Sequence, residues 1–307
     1  MIRNGLERFL QSVIVLLGCA LMVLIMLRII PGNPVAVLMG EHVDTAVIER
    51  LTAEMGLDQP VHVQFVRYLA GAVRGDFGTS YTLGKPVSSL LASAFVNTLI
   101  LALLAALFAW TLGLVSGLIA AVKRNSILDR LFMGTSLLGV SMPVFMAAML
   151  LQYFLAFRLK WLPIAGTDSL AGFILPAVAL GWNSAGSVAR LVRSTLLEIL
   201  EEDYIDTARA KGRGQMGVLI VHAFKNALLP VVTMMAIQFS GLLSGAVITE
   251  TVFSINGIGR LAVQAINGRD VPLLQGTVLF AAAIVVFGNY LSDLLCGILD
   301  PRIRREA

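Results

Sequence analysis

Six stretches of the chain run with almost no polar interruption: Phe9–Ile30, Phe95–Val122, Leu131–Phe157, Leu170–Ala189, Ala227–Thr249 and Val271–Ser292. Runs of about 20 apolar residues are what an α-helix needs to cross roughly 30 Å of hydrocarbon. Arg28 is the only charge inside them, and it stands near enough to the end of its run for the guanidinium to reach the interface. The pattern predicts an all-α polytopic membrane protein with six transmembrane helices. Phe95–Val122 and Leu131–Phe157 are longer than a perpendicular span requires and should tilt or protrude. Pro143 and Pro176 each remove a backbone donor and should bend or end a helix locally. Gly113 with Gly117, and Gly241 with Gly245, place small residues one turn apart, which permits close helix packing within or between subunits.

Composition sharpens the class. Of 307 residues 57% are hydrophobic and 14% charged, and mean hydropathy is +0.85, whereas soluble domains run near 25% charged. Cys19 and Cys296 both fall in apolar segments, so neither belongs to a disulfide framework or a metal site. The net charge of +4 implies no nucleic acid, because basic residues collect at cytoplasmic membrane edges for topological reasons. Fourteen of the 23 Lys and Arg residues fall on the side that holds both termini. Five of the others, from Arg28 to Lys85, lie at the mouth of or within a long loop, where the charge rule has little force. Both termini are therefore expected in the cytoplasm of a multi-pass inner or plasma membrane protein. Cysteine labelling from outside is expected at Ser80, with protection at Ser126. The organisation that follows is an uncleaved anchor helix over 1–30, an extracytoplasmic loop over 31–94, a transmembrane core over 95–299 and a cytoplasmic tail over 300–307.

Common catalytic signatures do not occur. The chain has no GxxxxGK[ST], since Gly84-Lys85-Pro86 lacks both the upstream glycine and the hydroxyl, and so it does not hydrolyse ATP itself. HExxH and GxSxG are missing, and His42, His62 and His222 are scattered over loops, so no metal or cofactor is expected. The polar residues within spans are amides and hydroxyls, among which Gln152, Asn183 and Gln238 are the candidates to line a pathway. A secondary transporter would need intramembrane ionisable residues, for which Asp293 at a span edge is the only candidate. An intramembrane enzyme would need a nucleophile and a base, which cannot be assembled.

Two loops are too long to be mere connections. The cytoplasmic one, residues 190–226, far exceeds the roughly two to eight residues usual between helices of a bundle. Its centre, Glu201-Glu202-Asp203-Tyr204-Ile205-Asp206-Thr207-Ala208-Arg209-Ala210-Lys211-Gly212, has acids first, bases last and then a glycine, the order that favours a short helix with a glycine stop. Thr207, Ala208 and Ala210 make part of that helix narrow. It fits either a solvated surface helix or a rod seated in a groove of another protein. The second loop, Pro31 to Ala94, contains helix-like stretches at Ala46–Gly56 and Val61–Val73. It is suited to receiving a delivery protein or to capping a pore.

The segment Asp206-Thr207-Ala208-Arg209-Ala210-Lys211-Gly212, with Leu229-Pro230 downstream, resembles the EAA loop of ABC-importer permeases, with Asp in place of the usual Glu and Thr in place of the first Ala. Gly56-Leu57-Asp58-Gln59-Pro60, Gly75-Asp76-Phe77-Gly78-Thr79-Ser80 and Pro86-Val87 are similar to the first external loop of the dipeptide/oligopeptide/nickel permeases. So are Glu250 to Phe253, Gly257 to Arg260, Arg269 to Pro272, Asn289 with Asp293, and Asp300 to Arg302 further on. The chain departs from that pattern at Asn256, Val271 and Cys296.

The resemblance covers nearly the whole chain. It implies a type I ABC importer permease fold and a transport subunit that is not an enzyme. The partners it implies are a second permease subunit in a heterodimer, two ABC ATPase subunits and an extracytoplasmic substrate-binding protein, all organised on the lipid bilayer. Asp203 and Asp206 to Gly212 would form the ATPase-coupling helix, whose displacement rocks the bundle between inward-open and outward-open states. Short peptides are the cargo this family most often carries, with nickel chelates, glutathione-like peptides and opines as other classes.

Overall fold

The computed structural model describes residues 2–29, 45–54, 56, 58–167, 169–244 and 246–299. The expected tail over 300–307 and the first part of the external loop lie outside them. Among the described residues the secondary structure is helical, apart from one isolated bridge between Thr79 and Pro86.

The first of two compact units comprises Met1–Thr98 and Asn256–Val286. It opens with α1, Ile2–Ile29, followed by the two external helices α2, Thr45–Glu54, and α3, Val61–Val73. The expected helical stretches of the external loop are thus present among the described residues. A turn closed by the Thr79–Pro86 bridge leads into α4, Val87–Val122. The rest of the unit is α11, Ile258–Asn267, and the start of α12, Val271–Leu299. Its core is Val87, Leu91 and Ala94 against Ile258, Leu261, Ala265 and Leu273. The Thr98 hydroxyl accepts from the Ile258 amide at 2.9 Å, satisfying one of the donors that the first turn of α11 leaves open.

The second unit, Leu99–Ile255 and Phe287–Ala307, holds most of the bundle. It contains α5, Ile127–Ser141; α6, Val144–Leu151, with a π-helical extension Gln152–Arg158; α7, Ala171–Leu200; and α8, Asp203–Ala210. A short helix Gln215–Gly217 and a π-helical stretch Val218–Phe224 lead into α9, Lys225–Ser244, and then α10, Val247–Val252. Leu101, Ala102, Ala105 and Ala106 of α4 pack on Phe173, Leu175, Ala177 and Ala179 of α7. Glycines here are packing devices: a Cβ on Gly117 would lie 2.5 Å from the Ala189 carbonyl, and one on Gly113 2.7 Å from Val188 Cβ. The first glycine pair therefore serves contact between α4 and α7 within this chain. Gly241 of the second pair faces open space.

Among the described residues four helical segments are long and apolar enough to cross a membrane: Val87–Val122, Ala171–Leu200, Val218–Leu243 and Val271–Asp293. The expected third span is broken, with α5 and the α6 segment meeting at 111°. Pro143 is the cause, since it cannot donate to the preceding turn and starts a new helix as its N-cap. The first span contributes a shorter apolar stretch, Leu10–Met26. Pro176, by contrast, neither ends nor restarts α7, because it lies close to the start of the helix and removes only one bond.

The segment 190–226, expected as a loop, is largely helix. Val192 and Leu196 are buried, so the apolar stripe of α7 continues to Leu200, and helix resumes as α8 and again from Gln215.

Candidate functional site

The predicted coupling segment folds as a separate two-turn helix. α7 stops when the Glu201 and Glu202 amides bond the carbonyls of Glu198 and Ile199. Glu202 is extended and caps α8 without a side-chain bond. Asp203 and Asp206 stand in the first turn and Arg209 in the last, each beside the helix end of opposite partial charge. Arg209 Nη1 donates to Asp206 Oδ1 at 2.7 Å across one turn, and the Thr207 hydroxyl donates to the Asp203 carbonyl at 3.1 Å. Gly212 then takes φ +79°, the left-handed stop that a side chain would strain.

One face anchors this helix. Ile205 is wholly buried and Ala208 nearly so, in a cluster with Val192 and Leu196 of α7, Val218 and Ala223 of the π stretch, and Ala227 and Val231 of α9. Burying the Ile205 side chain contributes about 1.5–3 kcal/mol. The Asn226 amide adds a 3.0 Å bond to the Tyr204 hydroxyl. Asp203, Asp206, Thr207, Arg209, Ala210, Lys211 and Gly212 are exposed. The predicted residues lie on this helix and its glycine stop, with Ala208 turned inward and the others exposed.

Two of the three candidate pathway residues spend their amides on backbone carbonyls. Gln152 Nε2 donates to the carbonyls of Ile164 at 2.9 Å and Val252 at 3.4 Å, fastening the π stretch to the loop after it and to the end of α10. Asn183 Nδ2 donates to the Val140 carbonyl at 3.3 Å. Val140 lies in the last turn of α5, where the Pro143 break leaves carbonyls without helical partners. Gln238 alone keeps a buried oxygen without a partner. A cavity of about 360 Å³ among α4, α5 and α7 is lined by Phe108, Leu112, Phe132, Val178 and Trp182, and by none of the three amides.

Two polar centres escape the sequence reading. Asp129, in the first turn of α5 and 4% exposed, receives Arg193 of α7 through Nε to Oδ1 at 2.7 Å and Nη2 to Oδ2 at 2.8 Å. It also accepts from the Asn125 amide at 2.9 Å, while Ser126 caps the helix by accepting from the Asp129 amide. The spacing Ser126-x-x-Asp129 was a legible capping signal, but its ion partner was not. In the first unit, Asp270 is fully buried. Its Oδ2 accepts from the Ser80 hydroxyl at 2.6 Å, the Thr82 amide at 3.0 Å and the Thr82 hydroxyl at 2.8 Å, and its Oδ1 accepts from the Leu273 amide at 3.2 Å. Burial alone would raise its pKa, yet these donors hold it below the usual carboxylate range. Tyr81 beside it is pushed up to about 12 by burial and by the Asp270 charge.

Apolar helices long enough to cross a membrane, with a short helix anchored by one face and exposed on the other, define a multi-pass membrane protein. The chain belongs to the family of binding-protein-dependent transport system inner membrane components, which matches residues 113–305, with its N-terminal counterpart matching residues 1–115. It is 40% identical over 304 residues to the glutathione transport system permease protein GsiC of Salmonella paratyphi A and of Salmonella typhimurium, and 38% identical to that of Escherichia coli strain K12. Each match covers 99% of both chains. The fold is shared with the methionine ABC transporter MetNI in an inward-facing conformation, at a TM-score of 0.59 and 20% identity, over 69% of this chain and 96% of that one. An amino acid ABC transporter crystallised with histidines gives 0.53 at 19% identity, over 68% and 93%. The chain is accordingly a multi-pass inner-membrane permease subunit of an ABC importer, a transport component and not an enzyme, with the type I fold. Membership implies ATPase and substrate-binding partners.

Proposed function

We propose that this chain is one of two different permease subunits forming a pathway for glutathione-like short peptides, with α8 as the docking element for an ATPase subunit. What carries the reading is α8 itself. Ile205 and Ala208 fix it to the bundle, while Asp203, Asp206, Arg209 and Lys211 stay exposed to a partner. The near full-length likeness to glutathione permeases supports the cargo class. Both termini lie in the cytoplasm, residues 31–94 face outside and receive the binding protein, and 95–299 form the core. The described polar side chains along the spans largely bond one another or backbone, as Ser292 does with the Ala236 carbonyl at 2.6 Å. Selectivity therefore resides in the binding protein, and the pathway acts as a conduit.

The test is the assembled complex with both permeases and both ATPases in proteoliposomes, with labelled glutathione delivered by its binding protein. Uptake requiring ATP and loaded binding protein, with a crosslink from Asp203→Cys to an ATPase subunit, is expected. Stimulation by free peptide alone would overturn the conduit, and absence of the crosslink would overturn the docking role. For orientation, the buried Ser80 is a poor reporter. Leu83→Cys should label from outside and Lys211→Cys only after permeabilisation, and the reverse pattern would invert the topology.

A further inference from the structure

We propose that the Asp129–Arg193 ion pair is the clasp through which displacement of α8 is passed to α5, making both residues positioning residues for energy coupling. The inference rests on the docking role given to α8 above. Arg193 lies two turns before the end of α7, and only Glu201 and Glu202 separate that end from α8. Val192 and Leu196, on the same two turns, pack on Ile205 and Ala208, so the tail of α7 and the coupling helix form one body. The clasp joins that body to α5 at a second place. Two parallel short bonds fix both the distance and the angle of Arg193 to Asp129, which a single contact would not do.

Asp129 is itself held from behind by the Asn125 amide and by the Ser126 cap, so pulling on its carboxylate moves the start of α5 and not merely one side chain. Outside the clasp, Arg124 reaches Glu201 at 3.0 Å, but both side chains are more than half exposed and that pair is screened by solvent. Further along, a Cβ on Gly186 would strike the Ser136 carbonyl, so α5 and α7 are in close backbone contact and slide together. α5 ends at the Pro143 break, where the chain turns through 111°. A lever joined to α8 at one end and to a sharp break at the other delivers motion from the cytoplasmic edge to the middle of the bundle. Removing the clasp leaves α8 docked and the ATPases active but loosens the start of α5 from the stroke, so that less of it reaches the Pro143 break.

The experiment measures peptide transported per ATP hydrolysed, normalised to assembled complex, for Asp129→Asn, Arg193→Gln and Arg193→Lys, with Arg124→Gln as the control on the exposed pair. The ratio should fall by about 2- to 30-fold in Asp129→Asn and Arg193→Gln, the range over which mutations along a coupling path act. It should fall less in Arg193→Lys, which keeps the charge but loses the fork, and should hold in Arg124→Gln. A wild-type ratio in Asp129→Asn or Arg193→Gln overturns the clasp, even when less complex assembles, because that outcome is a purely structural role. If those two fail to assemble, Arg193→Lys decides by the same ratio, and a wild-type value there overturns the clasp. With the Asp203→Cys crosslink intact, such a result removes the clasp alone. Loss of the crosslink in otherwise unaltered protein removes both the docking role and the clasp.

Discussion

The Ser80 hydroxyl donates a 2.6 Å hydrogen bond to the carboxylate of Asp270, 190 residues further along the chain. Ser80 ends the Gly75–Ser80 motif and Asp270 lies in the Arg269–Pro272 motif, so two patterns that read as separate in sequence are halves of one buried polar knot. Asp270 accepts from four donors there, and it fixes the turn from which α4 rises against the start of α12.

Asp270→Ala should destabilise the first unit by a few kcal/mol, because leaving a buried donor unsatisfied costs about 1–3 kcal/mol per group. Faster protease cleavage between residues 74 and 86 in detergent would report it, and an unchanged cleavage rate would contradict the network. The pH dependence has a definite sign. The folded carboxyl lies below its unfolded value of about 3.9. Its stabilisation is complete above that value and is lost as pH falls through the lower, folded value. Thermal unfolding of wild type minus Asp270→Asn should therefore be flat at neutral pH and shrink only below about pH 4.

The two glycine pairs should separate by phenotype. Gly117→Leu drives a side chain into the Ala189 carbonyl and Val192, and overpacking costs about 1–3 kcal/mol where neighbours can yield and more against backbone. Lower yields of folded monomer are expected. At Gly241 an added Cβ meets nothing within 4 Å, so the Gly241→Leu monomer should fold normally, and only recovery of the second permease in a pull-down should fall if that face is the subunit contact.

At Gly212 the requirement is conformational, since nothing would touch an added Cβ and φ is +79°. Gly212→Ala should cost about 1 kcal/mol and reduce uptake modestly. Gly212→Pro, whose ring fixes φ near −65°, should abolish uptake while membrane insertion persists. Quantitative blotting beside the uptake assay distinguishes these, and normal uptake by the proline variant would remove the helix-stop requirement.

Alanine at the three span amides should act without regard to cargo. Gln152→Ala and Asn183→Ala lose bonds to backbone carbonyls, each worth about 0.5–1.5 kcal/mol, and should lower the amount of folded protein. Gln238→Ala removes a buried oxygen that has no partner and should leave stability unchanged or slightly improved. Uptake of glutathione and of an unrelated dipeptide should change by similar factors in all three. Loss of one cargo alone would show a binding site in the pathway.

Much of this protein was already written in one dimension. Long apolar runs dictate membrane helices, because no other open structure satisfies its backbone in hydrocarbon. The order of acids, bases and glycine from Asp203 to Gly212 was enough to place α8 and its stop, since helix-end electrostatics and left-handed φ act within a few residues. The break at Pro143 was foreseeable in kind but not in size: a missing donor permits a bend, and the packing of α5 and α6 on α7 sets it at 111°. Nothing local distinguished Ala208 from Ala210, or one glycine pair from the other. Which side of a helix is inside depends on the neighbours it meets. Asp129 and Arg193, or Ser80 and Asp270, are polar residues whose roles arise only when distant segments meet. Burial of the carboxylates strips them of water and leaves Arg193 and Ser80 as their partners, a long-range event that spacing along the chain does not encode.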